Sequence, residues 1–208
     1  MRILISGFEP FGGLSSNPTL ELIERAKDFE MEGIEIFTIV LPVIYNQCVP
    51  PLLTEMERIE PDVVVCLGVA VGRSSINLER VGINIQDTAG EGKQGDNSGD
   101  RPVDREIVDE GPDGLFSTLP LRSILEALQS NNIPSTISNT AGTYICNTTM
   151  YSILYEINRL SLTTKAGFIH VPATPDMVVN SPKIPSMDIQ TQTEALRLIV
   201  EELGKRYI

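Results

Sequence analysis

The chain has 208 residues, enough to bury the core of one domain, so we expect residues 1–208 to form a single unit. Its formal net charge of −12 argues against binding to nucleic acid or to an anionic membrane surface. No apolar run approaches the about 18 residues of a membrane span, and no span is expected.

Cysteine and histidine usage limits the chemistry further. The three cysteines, Cys48, Cys66 and Cys146, have no paired spacing, and the first residues enter an apolar strand without the layout of a signal peptide. Both features are typical of a reducing compartment, so we expect a cytoplasmic protein. Because His170 is the single histidine and no cysteine pair has metal-binding spacing, we expect no zinc site.

In chain order, segments that predict strands alternate with segments that predict helices. The predicted strands cover residues 2–8, 35–43, 62–70, 75–84, 135–138 and 166–172. The predicted helices begin at Pro18, cover 50–59 and 119–129, follow Cys146 as far as Leu160, and close the chain from Ile189. This alternation predicts the α/β class, as a single-domain α/β/α sandwich with a twisted, mostly parallel central sheet.

The turn after the first strand contains two aromatic residues. Residues 7–13 (GFEPFGG) predict a turn that exposes Phe8 and Phe11. Asn17 directly precedes Pro18, a combination that predicts an N-cap followed by the first residue of a helix.

A long segment rich in glycine and aspartate covers residues 86–114. Loops of this length are usually functional lids or disordered, and we expect one of these two. Residues 96–100 (DNSGD) have the composition of a calcium loop, but Ile107 stands where a bidentate glutamate would be needed, so we reject that interpretation.

Sites in open α/β sheets gather at the carboxyl ends of the strands. Four features are candidates for that edge: the turn after Phe8, the region of Glu79, the turn before Cys146, and His170. We therefore expect these four features to meet there.

Cys146 follows a strand and a small-residue turn, in what should be the first turn of a helix. Amide hydrogens and the positive end of the helix dipole favour a thiolate at that place, which would make Cys146 a nucleophile. A thiolate nucleophile needs a base, and His170 is the only histidine available. A buried structural cysteine and a structural histidine are the alternatives that the residues alone leave open.

Two longer motifs resemble a known family. Residues 133–147 (IPSTISNTAGTYICN) are similar to the active-site cysteine signature of the pyroglutamyl-peptidase I (pyrrolidone-carboxylate peptidase) family. Residues 68–84 (GVAVGRSSINLERVGIN) resemble its glutamate signature. Shorter matches follow the family's order along the whole chain, at residues 7–13, 17–19, 116–120 and 168–172.

The resemblance implies a cysteine exopeptidase that removes N-terminal pyroglutamyl (5-oxoprolyl) residues from peptides through an acyl-enzyme. It implies Cys146 as the nucleophile, His170 as general base and acid, and Glu79 as the residue that orients the imidazole. The substrate-contacting positions that it implies are Phe8, Phe11, Asn17, Tyr144 and Ile145. It also implies peptide substrates, no cofactor, and a homo-oligomer, since members are often homotetramers.

One stretch departs from the family's pattern. Many members have an Arg-Ile-Pro-Asp-Asn run after Asn84, whereas this chain has a longer segment in which only residues 95–97 (GDN) resemble the end of that run. Arg73 remains nearby, and we expect it to make a structural salt bridge. Because of the departure, two alternatives stay open: a non-catalytic relative that binds pyroglutamyl or lactam ligands, and a thiol hydrolase of another small N-blocked amide.

Overall fold

The structure is a computed structural model that describes residues 1–14, 16–89 and 95–207. Residues 90–94 of the predicted loop at 86–114 lie outside the described residues. The described part contains eight strands and five α-helices, which alternate except at four consecutive strands between the second and third helices. The strands are β1 (Arg2–Phe8), β2 (Glu35–Leu41), β3 (Val63–Val69), β4 (Ile76–Glu79), β5 (Val81–Ile83), β6 (Gly114–Phe116), β7 (Ser135–Ser138) and β8 (Lys165–Val171). The helices are α1 (Pro18–Ala26), α2 (Val49–Ile59), α3 (Leu121–Ser130), α4 (Ile145–Arg159) and α5 (Ile189–Tyr207), with a 3₁₀ turn at Pro175–Val178.

Six strands form the central sheet in the order β2-β1-β3-β8-β4-β7. All neighbours in this sheet are parallel except β4 and β8, which pair antiparallel. β3 is buried along its whole length, as its continuous apolar run predicts for a strand covered on both faces. The predicted mostly parallel sheet is confirmed.

Helices cover both faces of the sheet. Because successive side chains of a strand point to opposite faces, Ile3 and Ile5 belong to one core cluster and Leu4 to the other. The first cluster contains apolar residues of α1, α3 and α5, and the second contains those of α2 and α4. This arrangement confirms the predicted α/β/α sandwich, and all the residues of the candidate site described below lie on or beside the α2 and α4 face.

The segment predicted at residues 75–84 is two strands in different sheets. β4 joins the central sheet, whereas β5 pairs antiparallel with β6 in a separate two-stranded sheet. The described part of the long loop is packed against the domain, with Gln86 bridging to Arg105 and Asp96 buried. Among the described residues, no helix combines the length and apolar character that crossing a bilayer requires.

The prediction that four site features meet at the carboxyl edge of the sheet is wrong for Glu79. β4 runs opposite to β8, so Glu79 at the end of β4 lies beside Phe168 within the sheet. Ser138 pairs with Glu79, so the turn before Cys146 also begins away from that edge. The predicted features meet on one face of the sheet instead.

Candidate active site

Glu79 and His170 are joined across the antiparallel β4 and β8 ladder. Asn77 lies opposite His170 and Glu79 lies opposite Phe168, so Glu79 is the diagonal neighbour of His170 on the same face. The His170 Nδ1 atom lies 2.7 Å from Glu79 Oε1, and both side chains are buried. With Glu79 ionised, Nδ1 carries the hydrogen of this bond and Nε2 is left to accept a proton.

Arg73 binds the same carboxylate. Its Nη1 atom donates to Glu79 Oε1 at 2.6 Å and to Asn77 Oδ1 at 2.7 Å. The salt bridge expected for Arg73 is therefore present, but its partner is the predicted triad residue. Sequence reasoning had no signal for this partner, because the contact depends on how residues 70–76 turn between β3 and β4.

Cys146 is the second residue of α4, as predicted from the turn and the helical spacing. Its sulfur lies close to the backbone of β3, since a Cβ atom added at Gly68 would lie 2.9 Å from Cys146 Sγ. Gly68 is paired in register with His170 on the neighbouring strand. The absent side chain of Gly68 thus leaves the space in which the thiol approaches the strand that carries His170.

The first turn of α4 is fixed in place by Asn147, a residue that sequence reasoning did not single out. The buried Asn147 side chain accepts a hydrogen bond from the Ile83 amide at 2.9 Å and donates to the carbonyl oxygens of Ile83 and Ile85 at 2.8 and 3.0 Å. These bonds attach the start of the helix to β5. Amide hydrogens in the first turn of a helix have no carbonyl partner within that helix, so they can serve a bound anion.

A small pocket lies beside the Cys146 sulfur. It encloses about 230 Å³ of empty space, part of which is open to solvent. All five substrate-contacting residues predicted by the resemblance line it together with the cysteine: Phe8, Phe11, Asn17, Tyr144, Ile145 and Cys146, with Val43, Gly68 and Val69 completing the wall.

The expectation that both aromatic residues of the first turn are exposed is wrong for Phe8. Phe8 is the last residue of β1 and is 2% exposed, because its side chain lies on the face covered by α2 and α4. Its ring lies 6.4 Å from that of Phe168, between centroids. Phe11 is half-buried, and its ring centroid lies 6.1 Å from that of Tyr144.

Asn17 is the predicted cap of α1. Its Oδ1 accepts hydrogen bonds from the Thr19 amide at 3.1 Å and the Thr19 hydroxyl at 2.8 Å, and its Nδ2 donates to the Glu9 carbonyl oxygen at 3.2 Å. These bonds hold Asn17 in the pocket wall. A direct contact between Asn17 and substrate stays a prediction.

Residues 95–97 make hydrogen bonds that hold the outer wall of the pocket in place. The Tyr144 hydroxyl donates to the Gly95 carbonyl oxygen at 3.0 Å, and Asn97 Nδ2 donates to Glu9 Oε1 at 2.9 Å and to the Pro10 carbonyl oxygen at 3.0 Å. Burial of the Asp96 carboxyl raises its pKa, but hydrogen bonds from the Tyr45 amide and from Ser98 outweigh that effect and hold the pKa below its ordinary value. An ionised Asp96 therefore keeps this turn in position.

A larger and more open cleft lies on the other side of Asn17. Its lining includes the carboxylates of Glu21, Asp176 and Asp188, and no cysteine or histidine. Within residues 1–14, 16–89 and 95–207, no three His, Cys, Asp or Glu side chains lie close enough together to hold a metal ion. The candidate nucleophile Cys146 therefore lines the small pocket, although the larger cleft has more empty space.

The three cysteines should differ sharply in reactivity. Burial raises the pKa of the Cys48 thiol to about 11 and that of Cys66 to about 12, whereas Cys146 is partly exposed in the pocket. At pH 7.5 we expect iodoacetamide to modify Cys146 in the folded protein and to leave Cys48 and Cys66 protonated and unmodified. Peptide mapping by mass spectrometry measures this, with guanidinium-unfolded protein as the control in which all three react. Modification of Cys66 in folded protein at a comparable rate would contradict the expectation.

Comparison with known proteins agrees with the resemblance seen in the motifs. The family model described as pyroglutamyl peptidase matches residues 1–206. Pyrrolidone-carboxylate peptidase 2 of Caldanaerobacter subterraneus is 41% identical over 205 residues, which cover 99% of this chain and 97% of that protein.

Solved structures agree as well. A mutant pyrrolidone carboxyl peptidase from Pyrococcus furiosus has a TM-score of 0.94 at 33% identity and covers 100% of both chains. The pyrrolidone carboxyl peptidase of Fervidobacterium islandicum has a TM-score of 0.93 at 35% identity and covers 99% of both chains. Since the match extends over the whole chain in sequence and in fold, this protein belongs to the pyroglutamyl peptidase family.

Proposed function

We propose that this chain removes N-terminal pyroglutamyl residues from peptides, with Cys146 as the nucleophile, His170 as general base and acid, and Glu79 as the residue that orients the imidazole. The observation that carries the proposal is the buried hydrogen bond of 2.7 Å between His170 and Glu79. His170 lies on the strand next to Gly68, and the Cys146 sulfur lies close to Gly68. Membership of the pyroglutamyl peptidase family supports the same reaction.

The composition of the pocket fits a lactam. Pyroglutamate is a small neutral ring without a free α-amino group, so a carboxylate or metal that anchors an ammonium would not help to bind it. Phe8, Phe11 and Tyr144 supply apolar and aromatic walls, and Asn17 supplies amide groups at the edge. Apolar walls with a few polar groups are typical of sites for small ligands.

The proposed reaction has two steps, acylation and hydrolysis. His170 accepts the thiol proton of Cys146 while the sulfur attacks the pyroglutamyl carbonyl carbon. The tetrahedral intermediate breaks the C–N bond, and His170 returns the proton to the leaving amine, which leaves a thioester on Cys146. Water, activated by His170, then attacks the thioester, releases pyroglutamic acid and restores the thiol.

The oxyanion of each tetrahedral intermediate needs hydrogen-bond donors. Backbone amides in the first turn of α4 are the candidates, because that turn contains Cys146 itself and is attached to β5 through Asn147. Loss of one oxyanion donor typically lowers the rate by about 10² to 10³. Arg105, which follows the divergent segment, is engaged with Gln86 and Asp100 at 2.7 and 2.8 Å.

Further parts of the proposal concern organisation and location. We propose one catalytic domain over residues 1–208, supported by two core clusters that pack on the two faces of one sheet. Cysteine usage without a disulfide among the described residues supports a cytoplasmic location. The homotetramer rests on resemblance alone, and light scattering after size exclusion measures it.

A panel of fluorogenic amides tests the proposed reaction. We expect kcat/KM for the pyroglutamyl amide to exceed that for the prolyl amide by about 100-fold or more, because proline lacks the lactam carbonyl and carries a charged ring nitrogen. The glutamyl amide should also be a poor substrate, since it carries an ammonium and a flexible carboxylate. Equal cleavage of the prolyl amide would favour a hydrolase of another small amide. Binding of pyroglutamate by calorimetry without any turnover would favour the non-catalytic relative.

A further inference from the structure

Arg73 connects the acid of the proposed triad with the turn that leads to the thiol. Its Nη1 atom is 2.6 Å from Glu79 Oε1 and 2.7 Å from Asn77 Oδ1. Its Nη2 atom is 3.4 Å from the carbonyl oxygen of Thr140, in the turn between β7 and α4. One guanidinium therefore contacts the strand that carries Glu79 and the segment that precedes Cys146.

We propose that Arg73 is a positioning residue that sets the orientation and the proton affinity of the Cys146, His170 and Glu79 group. The inference rests on the proposed function, and one of its tests needs no substrate. Arg73 is not among the residues that line the small pocket but is bonded to Glu79, so it acts through Glu79.

Both donors bind the same oxygen of Glu79. Oε1 receives the Arg73 guanidinium and the His170 imidazole, whereas Oε2, also buried, has no hydrogen-bond partner among the described residues. The guanidinium therefore competes with the imidazole for the charge on Oε1. This competition weakens the pull of the carboxylate on the imidazole proton.

Burial makes the positive charge of Arg73 important. Glu79 is fully buried, and an isolated carboxylate in such a place would take up a proton. Arg73, whose side chain is 26% exposed, supplies a permanent positive charge 2.6 Å from Glu79 Oε1. Arg73 therefore places a positive charge directly against the buried Glu79 carboxylate.

The positive charge of Arg73 should affect the pH profile of kcat/KM. The groups that face His170 are Glu79 from β4, the Cys146 thiol from α4 across Gly68, and Arg73 through Glu79. Removal of a fixed positive charge favours every protonated form nearby. Both limbs of a bell-shaped profile of kcat/KM should therefore move to higher pH when the charge of Arg73 is lost.

Two substitutions separate charge from geometry. Arg73→Gln should move the acid limb of kcat/KM upward by about 1 pH unit, because the charge lies one hydrogen-bonded group away from the imidazole. Arg73→Lys keeps the charge but cannot reproduce the forked donor, so kcat should fall about 10-fold while the limbs stay in place and KM changes little. Arg73→Lys also keeps the test available if Arg73→Gln does not fold.

Arg80 provides the matched control. Arg80 is an arginine on the same stretch and binds the Asn139 side chain at 2.6 Å, in the same turn that Arg73 reaches. Among the described residues its side chain makes no hydrogen bond or ion pair with Glu79. Arg80→Gln should leave the pH profile in place. Circular dichroism and thermal unfolding establish that each variant is folded.

The pH dependence of Cys146 alkylation by iodoacetamide is the measurement that needs no substrate. Arg73→Gln should shift that profile to higher pH by the same amount as the activity profile, and Arg80→Gln should not shift it. If the wild type hydrolyses no pyroglutamyl amide, the proposed function fails, and the alkylation profile still tests Arg73. Unmoved profiles in folded Arg73→Gln, an equal shift in Arg80→Gln, or wild-type kcat in Arg73→Lys would overturn the inference.

Discussion

Cys146→Ser should lower kcat for a pyroglutamyl amide by about 10⁴-fold or more, because serine is a far weaker nucleophile than a thiolate at the same position. The substitution changes one atom and keeps the size of the side chain. The protein should therefore stay folded, with a melting temperature close to that of the wild type. Initial rates at saturating substrate, with enzyme concentration raised to reach the detection limit, measure the loss.

Cys48→Ser is the matched control for this substitution. Cys48 is buried and its thiol donates to the Tyr45 carbonyl oxygen at 3.4 Å, a bond that a serine hydroxyl can also make. We expect this variant to keep wild-type kcat and its sensitivity to iodoacetamide. Full activity in Cys146→Ser would rule out the thiol mechanism. Loss of activity in folded Cys48→Ser would show that cysteine replacement acts through the core.

Gly68→Ala should lower kcat by about 100-fold, since the added methyl has no space. The new Cβ would lie 2.8 Å from two atoms of the Phe168 ring and 2.9 Å from Cys146 Sγ, closer than real Cβ contacts allow. The Phe168 ring is itself 4.9 Å from the His170 ring, between centroids. Relief of the clash must therefore move the sulfur or a ring packed on His170, and a displacement of about 1 Å can cost about 10² in rate.

Gly114→Ala is the control for backbone stiffening. Its Cβ would meet neighbours at 3.4 Å or more, which is ordinary contact. Thermal unfolding of both variants separates loss of fold from loss of geometry, because overpacking typically costs about 1 to 3 kcal/mol. Wild-type kcat in Gly68→Ala would mean that the thiol does not need its close approach to β3.

Local patterns predicted the place of Cys146 well. The strand, the small-residue turn and the helical spacing that follows are adjacent in sequence, and the structure begins α4 at Ile145. The fold class followed from the same kind of signal, since the alternation of segments is visible without any knowledge of which strands pair. Even the cap of α1 by Asn17 could be predicted from two residues.

The Glu79–His170 contact could not be placed in this way. It depends on β4 running antiparallel to β8, and β4 is only four residues long. No local feature of such a short strand gives its direction in the sheet, so the carboxyl-edge rule put Glu79 at the wrong place. The resemblance implied Glu79 for the proposed role but carried no geometry.

The environments of two further residues, Gly68 and Phe8, could not be predicted from sequence patterns. Gly68 lies inside a continuous apolar strand, and its sequence neighbours do not show that α4 packs against it. Only the structure shows that the missing side chain leaves space for the Cys146 sulfur. The turn motif at residues 7–13 predicts an exposed Phe8, but packing of the end of β1 buries it beside Phe168. In each case packing between distant segments decided the outcome.

The central place of β8 in the sheet bears on the synthesis of the protein. β8 is the last strand along the chain, yet it lies between β3 and β4 and is hydrogen-bonded to both. Until Lys165–Val171 has left the ribosome, no hydrogen-bonded ladder connects β1, β2 and β3 with the pair of β4 and β7. The His170–Glu79 bond joins residues 91 positions apart, so it forms only when this last strand inserts. A nascent chain of this peptidase therefore lacks the His170–Glu79 bond until Lys165–Val171 has been synthesised.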